Sequence, residues 1–324
     1  MELKYKIIEL FQKLDTETVV FSEAALDYVS VTLAVVMFGV ALRLSIAGFK
    51  DVVLKPKAFV VSVLCQLLFL PLFTFLMCLS LSSVISQSVA LGMILIAACP
   101  GGNTANFMCA LARGNISLSV SMSAFSTLNC VIVTPFNFWM WGNLYLKITT
   151  PALQGAVPMV HIDFWEMMKI VLFLMGIPIV LGMLCAHYFP KISNKMIKPF
   201  NFFSIIFFFG FIFGSLYINL DVFLRYVLLL AVIVVVHNLV AYLIGYFSSR
   251  VSRLSDVDTR CITIGTGVQH TALGLILIFS LNLFNKAGGL AFTAALWGMW
   301  NIFSGMALAF YWKWKDTKKA VIDN

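Results

Sequence analysis

Charge is what this sequence has least of. Only 11% of its 324 residues are charged and 61% are hydrophobic, whereas a soluble domain carries roughly 25% charged residues. So little polar surface cannot cover so much apolar surface in water, which excludes a soluble globular fold. The seven cysteines include no CxxC pair and no Cys/His cluster with metal-ligand spacing. Cys65, Cys78, Cys99, Cys109, Cys130, Cys185 and Cys261 all lie in apolar segments and read as small buried hydrophobes. GxSxG, HExxH and paired aspartates inside apolar runs are missing, so an intramembrane enzyme would have no catalytic constellation. Carboxylates are also absent from the centres of the apolar runs. Each of the 14 acidic residues falls in a polar loop or within a turn or two of a run's end.

What the sequence has instead is apolar blocks long enough to cross a bilayer, which takes about 20 residues per helix. They predict an all-α polytopic membrane protein with about nine transmembrane helices, near 26–46, 58–80, 89–112, 116–141, 164–188, 200–219, 226–248, 261–283 and 288–312. Residues 1–25 read as an N-terminal interfacial segment, with Leu3, Ile7, Leu10, Phe11 and Leu14 on one helical face. Their mixture of lysines with Glu2, Glu9, Asp15 and Glu17 does not fit a signal peptide. Fifteen of the 22 basic residues fall on one side of the expected bilayer, from Arg43 after the first span to Lys313–Lys319 after the last. Positive-inside counting therefore places the C-terminus, with a tail at 313–324, in the cytoplasm and the N-terminus outside a multi-pass cell-membrane protein. The net charge of +8 is mostly this topology signal, and a nucleic-acid partner is not expected.

Two of the nine spans cannot be ordinary helices. CPGGNTANFM, from Cys99 to Met108, puts Pro100 and two glycines beside Asn103, Thr104 and Asn106. IGTGVQHTALG, from Ile264 to Gly274, puts two glycines beside Thr266, Gln269, His270 and Thr271. Proline removes a backbone donor. An unpaired backbone group in lipid costs several kcal/mol, so such breaks survive only inside protein or along a cavity. Each break falls in the third span of a four-span set, in halves at about 26–141 and 200–312 linked by the span 164–188. The odd linking span inverts the second half. The expectation is one transporter domain over 26–312, an inverted repeat with two discontinuous crossed helices. Matched breaks in the two halves point to a carrier's binding site. His237, beside Asn238 within an apolar run, reads as a packed structural partner, and Gln87 as an outer-loop residue.

CPGGNTANFMCALARGNISLSVSMSAFSTL (Cys99–Leu128) and GVQHTALGL (Gly267–Leu275) resemble the crossing motifs of the bile acid:sodium symporter family. VVMFGVALRLS, VVVHNLVAYLIGYF and WNIFSGMALAFYW extend the resemblance over roughly residues 26–312. It implies a core domain holding both crossed helices, a panel domain beside it, two sodium sites and an organic-anion cavity. Carried over, one sodium site would use Asn106, Ser119 and Ser123. The other would use Gln66 and Gln269, with carbonyls around Gly265, Thr266 and Val268. Oxygen-only donors suit a hard cation. The resemblance departs at two places: Gly265 stands where the family usually has a glutamate shared by both sodium sites, and His270 where it has an asparagine. Asn103, Thr104, His270 and Thr271 are the candidates for substrate contact or coupling.

The expected function is secondary active transport of a small organic anion (bile-acid-like, or another carboxylate or sulfonate), coupled to sodium by resemblance. The alternatives are weakened sodium coupling with proton linkage through His270, a uniporter, and, from another class, a channel or intramembrane enzyme. No cofactor is expected, and no metal beyond sodium.

Overall fold

Lipid offers the backbone no hydrogen bonds, so a chain this apolar must satisfy them within helices. The computed structural model describes residues 2–16, 23–42, 56–102, 104–150, 162–218, 220–280 and 288–322. Among the described residues every regular element is a helix. In chain order these are α1 (Glu2–Thr16), α2 (Glu23–Ala41), α3 (Pro56–Ser80), α4 (Gln87–Ala98), α5 (Thr104–Leu111) and α6 (Ile116–Thr149). They continue with α7 (Phe164–Tyr188), α8 (Pro190–Ile218), α9 (Leu220–Val251), α10 (Asp256–Gly267), α11 (Thr271–Ser280) and α12 (Gly288–Ile322). By length and composition α3, α6, α7 and residues 224–251 of α9 suffice to cross a membrane.

Polarity is distributed as a lipid solvent requires. In the middle of α7 the exposed side chains include Leu172, Phe173, Val180 and Leu181, whereas Ser119, Ser121, Ser123 and Thr127 of α6 are buried. Hydroxyls and amides point inward because only protein can satisfy them there. Every residue of α4 is buried, as are nine of the twelve residues of α10, so these two half-helices lie in the interior of the molecule. Around them pack α3, α6, α9 and α12, while α2, α7 and α8 pack mainly on one another.

Two prolines are accommodated by the same device. A π-helical turn, Cys65–Phe69, precedes Pro71 in α3, and another, Leu172–Gly176, precedes Pro178 in α7. A helical proline leaves the carbonyl four residues earlier without its donor. In α3 that carbonyl is Leu67 O, and Asn137 Nδ2 of α6 donates to it at 3.0 Å. The wider π turn also carries Gln66, 4% exposed, into the interior.

The structure changes several expected boundaries. α6 runs on to Thr149, and α12 stays helical through most of the predicted tail. Gln87 is not an outer-loop residue: it is buried as the first residue of α4 and reaches Thr149 Oγ1 at 3.4 Å. α1 does more than lie in an interface, since Phe11 and Leu14 are buried in the main apolar cluster and Ile7 and Leu10 pack against it. The helix meets α12, and Asp15 accepts a hydrogen bond from Ser88 near the start of α4. Leu3 lies outside the residues whose side chains are described.

Candidate functional site

The breaks are where backbone donors and acceptors have to be found, and each break supplies the other. Between α4 and α5, Gly101 forms an antiparallel bridge with Gln269, which lies between α10 and α11. Gly102 N donates to Val268 O and His270 N donates to Pro100 O, both at 2.8 Å. The proline that breaks the first helix thus provides an acceptor for the second.

Side chains cap the carbonyls that remain. Gln66 Nε2 donates to Gly265 O at 2.7 Å, and Gln269 Nε2 donates to Thr266 O at 2.8 Å. Asn238 Nδ2 donates to Gly267 O at 2.7 Å, and Asn301 Nδ2 donates to Gln269 O at 3.0 Å. Ser304 Oγ supports Asn238 by donating to its Oδ1 at 2.7 Å, and lies 3.0 Å from Tyr242 Oη. Gln66 and Gln269 thus reach adjacent carbonyls near the C-terminal end of α10. Gly101 permits this approach, because a Cβ there would collide with Gln66 Nε2. Asn137, Asn238, Asn301 and Ser304 were not among the sequence candidates. The available signal was an amide or hydroxyl alone in an apolar run, which marks an interhelical hydrogen bond.

A second oxygen cluster lies on the α5–α6 side. Asn106 Oδ1 accepts from Ser119 Oγ at 2.7 Å and from Ser123 Oγ at 3.0 Å. The serines are one turn apart and share a face of α6. Asn106 is half-buried, Thr104 exposed and Thr271 buried. Asn103 lies outside the described residues.

The crossing has little charge. A Cβ on Gly265 would collide with Met122 Cε and lie 3.8 Å from Gln66 Nε2, so a thioether fills the space beside that glycine. Gln269 Oε1 and His270 Nδ1 are buried without a hydrogen-bond partner among the described residues. His237 is held otherwise. Trp297 Nε1, which can only donate, lies 3.0 Å from His237 Nδ1, and Thr74 Oγ1 lies 2.7 Å from Nε2. Nδ1 therefore accepts, and Nε2 carries the proton toward Thr74. His237 is a packed structural partner, as expected.

The profile of the sodium bile acid symporter family matches residues 30–245, more than half of the chain and including the first break. The chain belongs to the sodium bile acid symporter family. It is accordingly a multi-pass membrane protein of a sodium-dependent transporter family. An uncharacterized sodium-dependent transporter of Bacillus subtilis, YocS, is 29% identical over 293 residues, 90% of this chain and 85% of that protein. The probable chloroplastic sodium/metabolite cotransporter BASS2 of rice is 27% identical over 78% of this chain and 56% of its own length. The rat sodium/bile acid cotransporter 4 is 29% identical over 53% of this chain. This chain covers only 37% of the rat protein, so the family members it matches include proteins much longer than the shared region.

Proposed function

We propose that this protein is a secondary active carrier of a small organic anion, driven by sodium. The observation that carries the reading is the closed crossing, where two broken helices exchange backbone hydrogen bonds at Gly101 and Gln269. Half-helix ends at such a crossing present both dipole poles to one small region, which suits an anion together with a cation. Asn106, Ser119 and Ser123 would hold one sodium. Gln66, Gln269 and the carbonyls of Gly265, Thr266 and Val268 would hold the other. Support for the second comes from Gln269 Oε1, a buried acceptor with no partner among the described residues.

In this reading nine spans form an inverted repeat in which α2 to α6 correspond to α8 to α12 and α7 is the link. The separate packing of α2, α7 and α8 supports a panel that rocks against the core, exposing the crossing to each side in turn. Thr104, His270 and Thr271 would meet the substrate. The N-terminus lies outside and the C-terminus in the cytoplasm.

The decisive measurement is uptake of labelled organic anions by purified protein in liposomes, with and without an inward sodium gradient. The reading expects saturable uptake that the sodium gradient accelerates. Single-channel currents, or uptake that ignores every ion gradient, would overturn it.

A second reading rests on His270. Its Nδ1 is buried at the crossing without a partner among the described residues. In that reading a proton on His270 replaces part of the sodium coupling. Uptake driven by an inward proton gradient in sodium-free buffer, and lost in His270→Asn, would favour it.

A further inference from the structure

Away from the crossing, the ends of α9, α10 and α12 enclose a cavity of about 450 Å³. Four cations line it, Arg250, Arg260, Lys315 and Lys318, against the carboxylates of Asp256 and Asp316, leaving two surplus positive charges. Both arginines are engaged. Arg250 lies 2.7 Å from Asp256 and 5.3 Å from the centre of the Tyr246 ring. Arg260 holds Asp316 through two bonds of 2.6 and 2.7 Å and donates to Ala112 O at 2.9 Å. The surplus falls on Lys315 and Lys318, for which no ion pair occurs among the described residues. Lys318 Nζ stands 5.4 Å from the centre of the Trp314 ring.

The surroundings indicate what such a cavity would take. Trp and Tyr side chains gather at the headgroup level of a bilayer, and Trp312, Trp314 and Tyr246 line the cavity. Exposed apolar side chains neighbour the lining residues in sequence, Phe247 and Val251 on α9 and Phe310 and Tyr311 on α12. Positive-inside counting puts this end of the molecule in the cytoplasmic leaflet, where anionic lipids attract basic pockets between helices. A soluble phosphate would find the charge but leave the apolar rim unused. A zwitterionic lipid would bring its own cation to a cavity already positive.

We propose that this cavity binds the phosphate of an anionic phospholipid, with Lys315 and Lys318 at its oxygens and its acyl chains along Phe247 and Phe310. A lipid seated there fastens α12 to α10, the half-helix that runs into the crossing, and so braces the core from its cytoplasmic end.

The test is thermal unfolding of the purified full-length protein in neutral detergent, titrated with phosphatidylglycerol, phosphatidylcholine or soluble glycerol phosphate. Phosphatidylglycerol should raise the melting temperature and the other two should not. Lys315→Gln with Lys318→Gln should increase the phosphatidylglycerol needed for half the effect by about tenfold or more, at roughly 1 kcal/mol per basic residue. Lys191→Gln with Lys195→Gln, basic residues expected on the same side but outside the cavity, should leave the titration unchanged. Equal stabilisation by phosphatidylcholine, or an unshifted titration in the Lys315/Lys318 variant, would overturn the proposal. Stabilisation by glycerol phosphate alone would overturn the lipid assignment in favour of a free phosphate.

Discussion

If the crossing holds sodium as proposed, Gly265 is the residue on which ion affinity turns. Burying a cation without a counter-charge is costly, and neither broken segment, Cys99–Met108 or Ile264–Gly274, contains an acidic residue. Sodium should therefore drive uptake here only at high concentration. The space beside Gly265 is taken by Met122 Cε, the far end of a flexible side chain that can swing aside. Gly265→Glu in a Met122→Ala background should tighten sodium binding about tenfold, roughly 1.4 kcal/mol, read as the sodium concentration for half-maximal uptake. Gly265→Glu alone should show less of the gain. A double variant no tighter than native would show that the added carboxylate does not face the ion. Gly101 makes the opposite demand. Gly101→Ala would push Gln66 off Gly265 O, leaving a buried carbonyl and amide unpaired at a cost of about 1–3 kcal/mol. The expected result is a lower melting temperature in detergent together with lost uptake, whereas native-like melting would mean that the amide has another resting place.

Among the elements, α1 makes the most distinct claim. Its apolar stripe seats Phe11 and Leu14 in the main cluster, so Leu14→Ala should cost about 2–4 kcal/mol and detach the helix before the rest unfolds. Asp15 adds a pH dependence. Burial holds its carboxyl above its ordinary value, while the hydroxyls of Ser88 and Ser86 offset part of the rise. A raised carboxyl means that docking favours the protonated form. The contribution is full below about pH 4, the unfolded value, and is lost as pH rises through the higher docked value. Asp15→Asn should remove that loss. After correction for intrinsic exchange, α1 amides in the variant should exchange more slowly than native at pH 7 and about equally at pH 4. Equal protection at both values would show that Asp15 carries no such load. The π turns are a second element-scale feature. Each lies two residues ahead of a proline, and the first is tied to α6 through Asn137 and Leu67 O. Asn137→Leu should destabilise α3 at that turn by about 1–3 kcal/mol, seen as faster exchange of its amides.

At the scale of the whole molecule, the charge asymmetry makes a topological prediction that needs no substrate. An epitope at the C-terminus of intact cells should be inaccessible to antibody until the membrane is opened, and one at the N-terminus should be accessible throughout. The reverse pattern would invert the carrier and place the cavity of Arg250, Arg260, Lys315 and Lys318 in the outer leaflet.

Composition and hydropathy by themselves determined that this chain lives in lipid, because nothing so poor in charge can be solvated otherwise. Since backbone chemistry is local, Pro100 and Gly101 marked where the first helix must fail, and the IGTGVQHTALG segment marked the second, which stays helical through Gly267 and breaks at Val268–His270. The pairing of Ser119 with Ser123 was legible for the same reason, being one helical turn. What only the tertiary structure decided is how each failure is repaired. Pro100 O serves His270 N, Leu67 O is served by Asn137, and Gly267 O by Asn238. Those partners lie 29 to 170 residues apart in sequence, and nothing local encodes which lone asparagine meets which orphaned carbonyl. Nor does sequence spacing place Met122 beside Gly265 or seat Asp15 against Ser88. Those contacts follow from how separate helices pack, and packing sets both the surroundings of Gly265 at the crossing and the grip on α1.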